Sequence, residues 1–509
     1  MAATSHPLAS LAAIDTLRAG GNAADAAVTA AAVLSVVEPH MTGIGGDCCA
    51  IVSIPGQSSW AYNGTGRAGA RASGAGLVDQ GLRSIAGNSI HAVTVPGAID
   101  AWAAILAAHG RFGLDRALAP AIRYAEDGFP VAARIAWDWA AEVRKLAADT
   151  GAARHYLFNG GAPAEGDVIR LPALAQTLSS IAERGPRAFY EGPIADDIVA
   201  TLRTRGSFLT GEDFAGHRGE AVAPISTDYR GVTVSELPPN TQGLTALVLL
   251  NILECFELAA LDPLGPDRFH LTLEAARIAY ALRDDHIAEP ASMRAAVPAL
   301  LDKRFAGELA SRIDRARRAS APPIRSPGGD TVYLTVVDRD RMAVSLINTL
   351  FSHFGVGICT EQTGIMLTNR GACFVLDPDH PNNFGPSKRP MHTIIPGMAF
   401  RDGRCELAFG VMGAHYQPMG HVHVLVNMVD YGMDVQAAID APRAFFVGEQ
   451  TIVERGLPAP TREGLEARGH VLAMAPAPWG GAQAIRIDWQ RGVLIGGSDP
   501  RKDGCAIGY

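Results

Sequence analysis

Thr331 is the residue in this chain whose type and setting most directly permit chemistry. It opens an apolar run, TVYLTVV, immediately after Gly328-Gly329-Asp330. A threonine hydroxyl is a weak nucleophile until a base removes its proton. If the bond between Asp330 and Thr331 breaks, Thr331 becomes N-terminal. Its own α-amine, with an ordinary pKa of about 7.7–8.0, can then be that base. Before cleavage, the hydroxyl can attack the Asp330 carbonyl to give an ester that water opens. Gly328-Gly329 lets the backbone bend for that attack. The same residues also fit a plainer description, a glycine turn in front of a strand.

Two other groupings suggest chemistry and fail on spacing. His415, His421 and His423 resemble a metal cluster. However, Met419, Val422, Leu425, Val426 and Val429 set a helical period there, so His421 and His423 point to nearly opposite sides. GIGGD at Gly43 to Asp47 resembles a phosphate loop. It follows a helix and precedes a strand, the reverse of a phosphate-binding turn. Neither a metal nor a nucleotide cofactor is expected.

The elements that must position Thr331 can be read from periodicity. Leu8, Leu11, Ile14 and Leu17 recur at helical spacing, and Gly20-Gly21 stops that helix. Asn22 can cap a second helix with Asp25 in its first turn. That helix is nearly all Ala and Val, which predicts burial on both faces. CCAIVSI reads as a strand ended by Pro55-Gly56. The middle of the chain is mostly helical, with a strand at YRGVTVSEL followed by PPNTQG and the apolar helix LTALVLLNILE. Residues 310–330 mix basic residues with Pro, Ser and Gly, which predicts a mobile, solvated connector. TVYLTVVDRDRMAVSLINTLF then reads as two strands joined by a tight turn at Asp338 to Arg341.

At 509 residues the chain can bury a large core, and 48% apolar against 19% charged residues excludes a disordered protein. A net charge of −8 without a basic stripe argues against nucleic-acid binding. The seven cysteines are odd in number, scattered and free of C-x-x-C pairs, which argues against a disulfide framework or structural zinc. The N-terminus lacks a basic region followed by an apolar run, and no uncharged helical stretch is long enough to span a bilayer. A cytoplasmic location is expected, with a start that looks clipped.

Several stretches together carry a resemblance. HPLASLAAIDTLRAGGNAADAAVTAAAVLSVVEPHMTGIGGD, PGAIDAW, YRGVTV, GPSKRPMHTIIP, DYGMDVQAAIDAPR and GGSDPRKDGCAIGY occur in that order. In this combination the chain resembles the γ-glutamyltransferase family of N-terminal-nucleophile hydrolases along almost its whole length. The resemblance implies an α+β fold, a four-layer αββα sandwich. It implies self-cleavage between Asp330 and Thr331 into a large chain, residues 1–330, ending in a processing segment at 310–330, and a small chain, residues 331–509. The two would stay together as one intertwined heterodimer, with a dimer of these a further expectation. Thr349 matches a second threonine that bonds the nucleophile's amine. Gly413-Ala414 matches the glycine pair of the oxyanion hole, and Ala at the second place still offers a backbone N–H.

The departures bear on substrate. Where the family recognises an ammonium with an aspartate and an asparagine, this chain has Cys373 and Phe351, neither of which can pair with a cation. A family glutamine becomes Arg370, and a carboxylate-binding serine pair becomes His392-Thr393. The family arginine near the first strands has no clear counterpart; Thr65 falls there, with Arg67 two residues later. Arg370 and His392 suit a small anionic amide, while a surface ion pair for Arg370 and an internally bonded histidine for His392 are the plainer alternatives. The expected function is therefore amide hydrolysis on a small anion, oxamate first and the cephalosporin acylases next. A γ-glutamyltransferase or glutathione hydrolase is the alternative, and an uncleaved homologue acting as a binding protein is a third.

Overall fold

The first two helices form where capping chemistry places them. The first spans Pro7–Arg18, and the chain turns at Gly20 with φ +93°. The second spans Ala23–Val37, with Asn22 and Asp25 forming a reciprocal capping box. Every residue of the second helix is buried, as its all-apolar faces require. The computed structural model describes residues 1–319, 330–478 and 480–509, with the backbone alone at Asp330.

Two antiparallel sheets carry the fold. A seven-stranded sheet has Asp330–Val337 near its centre, between Ala2–Thr4 and Ala343–Phe351. Asp47–Ser53 and Trp60–Gly64 continue it beyond Ala343–Phe351. A six-stranded sheet contains Ile225–Tyr229, Val232–Glu236, Gly397–Arg401, Arg404–Met412, Gly481–Asp488 and Val493–Ser498. The two sheets pack face to face through strands Asp330–Val337 and Arg404–Met412. Helix Ala23–Val37 covers the outer face of the first sheet. Helices Gly243–Leu253 and Gln417–Val429 cover the second. This is a four-layer αββα sandwich in the α+β class. Residues before and after 330 contribute strands to both sheets, so the two parts of the chain are interleaved.

The expected hairpin forms, with Asp338 accepting the backbone N–H groups of Asp340 and Met342 across the turn. The expected connector differs at its start. Residues 311–319 are tied down: the backbone N–H of Arg318 donates to Arg468 O, and that of Ala319 donates to a Glu274 carboxylate oxygen. Backbone donors find partners wherever a polar surface lies alongside, and composition alone does not show that surface. Residues 320–329, including Gly328-Gly329, lie outside the described residues. YRGVTVSEL forms the turn and second strand of a hairpin, Ile225–Tyr229 paired with Val232–Glu236.

Candidate active site

Thr331 is the second residue of the central strand and is fully buried. Its neighbour strand changes register at this level, because Asn348 pairs with Val332 whereas Phe351 pairs with Asp330. Such a bulge turns side chains away from simple alternation. The Thr349 hydroxyl comes to 3.2 Å from the Thr331 hydroxyl. It also accepts the backbone N–H of Phe351 at 2.8 Å. Phe351 has φ +79°, uncommon for a bulky residue and sustained only by such local bonds. The glycine-rich loop serves this corner by close approach. A Cβ at Gly46 would stand 2.0 Å from the Thr349 carbonyl oxygen, and one at Gly45 would stand 2.1 Å from that of Met366. Glycine there lets two backbones touch, a packing role rather than a phosphate cradle.

Phe351 leads to the charged part of the site. The Arg370 guanidinium carbon lies 4.0 Å from the centre of the Phe351 ring. Arg370 sits in a short helical turn, Arg370–Cys373, and is wholly buried. Its Nη1 donates to Thr393 Oγ1 at 2.8 Å and to Cys373 Sγ at 3.6 Å. Its Nε and Nη2 are buried with no hydrogen-bond partner among the described residues. Those two nitrogens form one edge of the guanidinium, with the geometry that grips a carboxylate bidentately. Burial pulls the Arg370 pKa below its usual value. A buried cation without a carboxylate partner is costly, and an anion at its open edge would offset that cost.

Of the two readings of His392, the internally bonded histidine is the one its contacts fit. Its Nδ1 accepts the backbone N–H of Ile394 at 3.2 Å, so the ring proton sits on Nε2 and donates to Asp47 Oδ2 at 2.9 Å. Burial first, then the Arg370 charge, pushes its pKa down to about 4. His392 is thus a neutral ring with both nitrogens in internal bonds. Arg67 is directed elsewhere, pairing with Glu289 and donating to Ser387 O at 3.0 Å on a partly exposed face. Thr65 is buried, its hydroxyl donating to Asn63 Oδ1 at 2.7 Å. Phe351, Cys373 and Ala414 form one small apolar cluster, and the charge of Asp47, whose carboxylate is bonded to His392, also acts on Arg370.

Gly413 and Ala414 end strand Arg404–Met412 and precede helix Gln417–Val429. Both have positive φ, +125° and +48°. A Cβ at Gly413 would meet Gly480 Cα at 3.2 Å. Sequence reading missed two residues here. Asp47 joins the His392 loop to the first sheet and also accepts the backbone N–H of Gly66 at 2.9 Å. Gln242, from the PPNTQG stretch, donates to the backbone oxygens of both Thr393 and Ala414 at 2.8 Å. A polar residue just ahead of an apolar helix was the available signal.

The three clustered histidines separate as their helical spacing requires. His415 meets Arg283, His421 meets Glu236, and His423 meets Arg268. Two other groups come within metal-binding distance, His40 with Asp138 and His353, and His270 with Glu274 and His470. Asp138 already pairs with Arg134 and Lys502. His270 and His470 hydrogen-bond each other at 2.9 Å.

An αββα sandwich of two antiparallel sheets between helical layers is the fold of the N-terminal-nucleophile hydrolases. Within that class, a family model described as Gamma-glutamyltranspeptidase matches residues 9–509, and the chain belongs to that family. It is 39% identical, over 100% of its length and 98% of the relative's, to a glutathione hydrolase-like YwrD proenzyme of Bacillus subtilis. It is 35% identical, with 100% and 98% covered, to an oxamate amidohydrolase proenzyme of Klebsiella pneumoniae. Among solved structures it resembles a cephalosporin acylase from Bacillus halodurans, with TM-score 0.94, 40% identity, and 99% and 94% of the two chains covered. The protein is a hydrolase of this family. Among the described residues, no helix is long and apolar enough to cross a membrane.

Proposed function

We propose that this protein cleaves itself between Asp330 and Thr331 and then hydrolyses the amide of a small substrate that carries a carboxylate and no α-ammonium, with oxamate the first candidate. The observation that carries the substrate class is the open Nε–Nη2 edge of Arg370. In the uncleaved chain the Thr331 hydroxyl attacks the Asp330 carbonyl. The acyl group shifts from nitrogen to oxygen, and the nitrogen takes up the proton. Water then hydrolyses the ester, releasing the Asp330 carboxylate and leaving a free threonine amine. Chains 1–330 and 331–509 remain interleaved as a heterodimer.

In the matured enzyme the neutral amine takes the Thr331 hydroxyl proton as the oxygen attacks the substrate amide. The Thr349 hydroxyl orients that amine. The backbone N–H groups of Gly413 and Ala414 meet the oxyanion. Ammonia or an amine leaves with the transferred proton, and water frees the acyl group. Arg370 receives the substrate carboxylate while Phe351, Cys373 and Thr393 shape its surroundings. A γ-glutamyl substrate would bring an ammonium toward Phe351 and Cys373, which offer it no carboxylate.

N-terminal sequencing of the smaller fragment tests the cleavage: it should begin at Thr331, and Thr331→Ala should leave a single uncleaved and inactive chain. Comparison of kcat/KM for oxamate with that for a chromogenic γ-glutamyl anilide tests the substrate class. Faster turnover of the anilide would replace the anionic reading with glutathione hydrolysis.

A further inference from the structure

We infer that Gln242 is a positioning residue that holds Ala414 in the conformation the oxyanion site needs and couples that turn to the Arg370 receptor; this rests on the oxyanion role proposed above for Gly413-Ala414. Ala414 has φ +48°, a region that an L-residue with a Cβ avoids unless its surroundings fix it. Gln242 is fully buried at the start of helix Gly243–Leu253. Its amide nitrogen donates to Ala414 O and to Thr393 O, both at 2.8 Å. Its amide oxygen accepts Nη1 of the buried Arg283 at 3.0 Å.

That last bond decides the orientation of the amide. Flipped, its NH2 would face a guanidinium and its oxygen would face two carbonyl oxygens. Gln242 therefore serves as a donor to both backbone oxygens. Holding the Ala414 carbonyl fixes the peptide plane that follows Ala414, and hence the direction of the turn. Arg283 also reaches His415 Nδ1 at 3.0 Å, and the Tyr280 hydroxyl donates to His415 O, so the next residue is anchored too. The second carbonyl belongs to Thr393, whose hydroxyl accepts from Arg370 Nη1. One side-chain amide thus spans the turn that would meet the developing charge and the residue that steadies the anion receptor.

The test is kcat per active site, counted by the acyl-enzyme burst, on an anionic and a neutral amide. Gln242→Met keeps the volume and removes both donors. It should lower kcat about 10- to 100-fold on both substrates, less than the ~10²–10³ for deletion of an oxyanion donor, and raise KM for the anionic amide alone. Adding Ala414→Gly should recover at least about threefold of that kcat, because glycine adopts positive φ without support. If Gln242→Met melts below the assay temperature, Gln242→Glu replaces it, retaining the size and the acceptor for Arg283. A kcat within about threefold of the unsubstituted enzyme overturns the inference, as does a loss that Ala414→Gly does not relieve. Loss of folding in both Gln242 variants overturns it as well and makes Gln242 a residue of the fold. Failure of the underlying reading shows separately, as an unsubstituted enzyme whose small chain starts elsewhere than Thr331 or that binds a tetrahedral oxyanion analogue no more tightly than its amide substrate.

Discussion

Arg370 and Arg443 are both wholly buried, and both lie over an aromatic ring, Phe351 for the first and Tyr416 for the second. Their charged partners differ. Arg443 is paired with the buried carboxylate of Asp499, which Arg501 also holds at 3.1 Å. Arg370 has a threonine hydroxyl and a thiol for partners, and one edge of its guanidinium faces no acceptor among the described residues. A protein interior neutralises a charge with its own groups when the charge is architectural. On the reading proposed above, the substrate carboxylate completes the surroundings of Arg370. The contrast separates two arginines that burial and stacking alone would class together.

The sharpest way to break this contrast is Arg370→Met. With the receptor gone, kcat/KM on the anionic amide should fall about 30- to 1,000-fold, the equivalent of roughly 2–4 kcal/mol for a lost buried charge contact. Thermal stability should be unchanged or higher, since an uncompensated buried cation has been removed. A melting temperature several degrees lower would place Arg370 with Arg443 as a structural residue.

Arg443→Met should do the opposite. It leaves Asp499 buried with Arg501 as its remaining ion-pair partner among the described residues, so the loss should be about 3 kcal/mol of stability, measured by denaturant or thermal unfolding. Activity per folded molecule should change far less than in the Arg370 variant.

Cys373→Asp tests the contrast from the other side by placing a carboxylate where a thiol now receives Arg370 Nη1. Arg370 would then resemble Arg443. Activity on the anionic amide should fall about tenfold, or roughly 1.4 kcal/mol, with stability equal or improved. Undiminished activity would mean that the substrate does not rely on this guanidinium.

The smallest effect concerns pH. His392 titrates near 4 in the folded protein and near ~6.5 when unfolded. The unfolded chain therefore binds more protons between these values. The contribution of His392 to stability is present above about pH 6.5 and is lost as pH falls toward about 4. Arg370 is the second cause of this depression, after burial. Arg370→Met should raise the folded pKa and reduce the acid loss by about 1 kcal/mol or less, read from unfolding curves between pH 4 and 7. An acid limb unchanged by that substitution would show that the two groups do not interact.

Much of the framework was legible because its causes are local. The Asn22–Asp25 box, the stop at Gly20 and the Asp338 turn each depend on residues a few positions apart. The all-Ala and Val helix declares its burial by having no polar face. The ordered set of family stretches carried the αββα expectation, because their combination is specific where each alone is not.

The site was legible mainly as a set of residue types. Sequence alone showed that Thr331 follows Asp330 and that an arginine lies three residues before Cys373, and the family resemblance placed cysteine and phenylalanine where the family has an aspartate and an asparagine. Only the tertiary structure decided what these groups touch. The bulge at Thr349 lies in the pairing of strands Asp330–Val337 and Ala343–Phe351, where the register shifts between Asn348 and Phe351. His392 becomes a neutral internal donor because Asp47, 345 positions away, reaches its Nε2. Gln242 acquires two carbonyl partners 151 and 172 positions away in the chain. Hydrogen bonding in the interior is settled by which groups packing brings within about 3 Å of one another. Periodicity specifies which side of a helix or strand is buried, but not which distant acceptor lies against it, nor that no acceptor among the described residues lies against the Nε–Nη2 edge of Arg370.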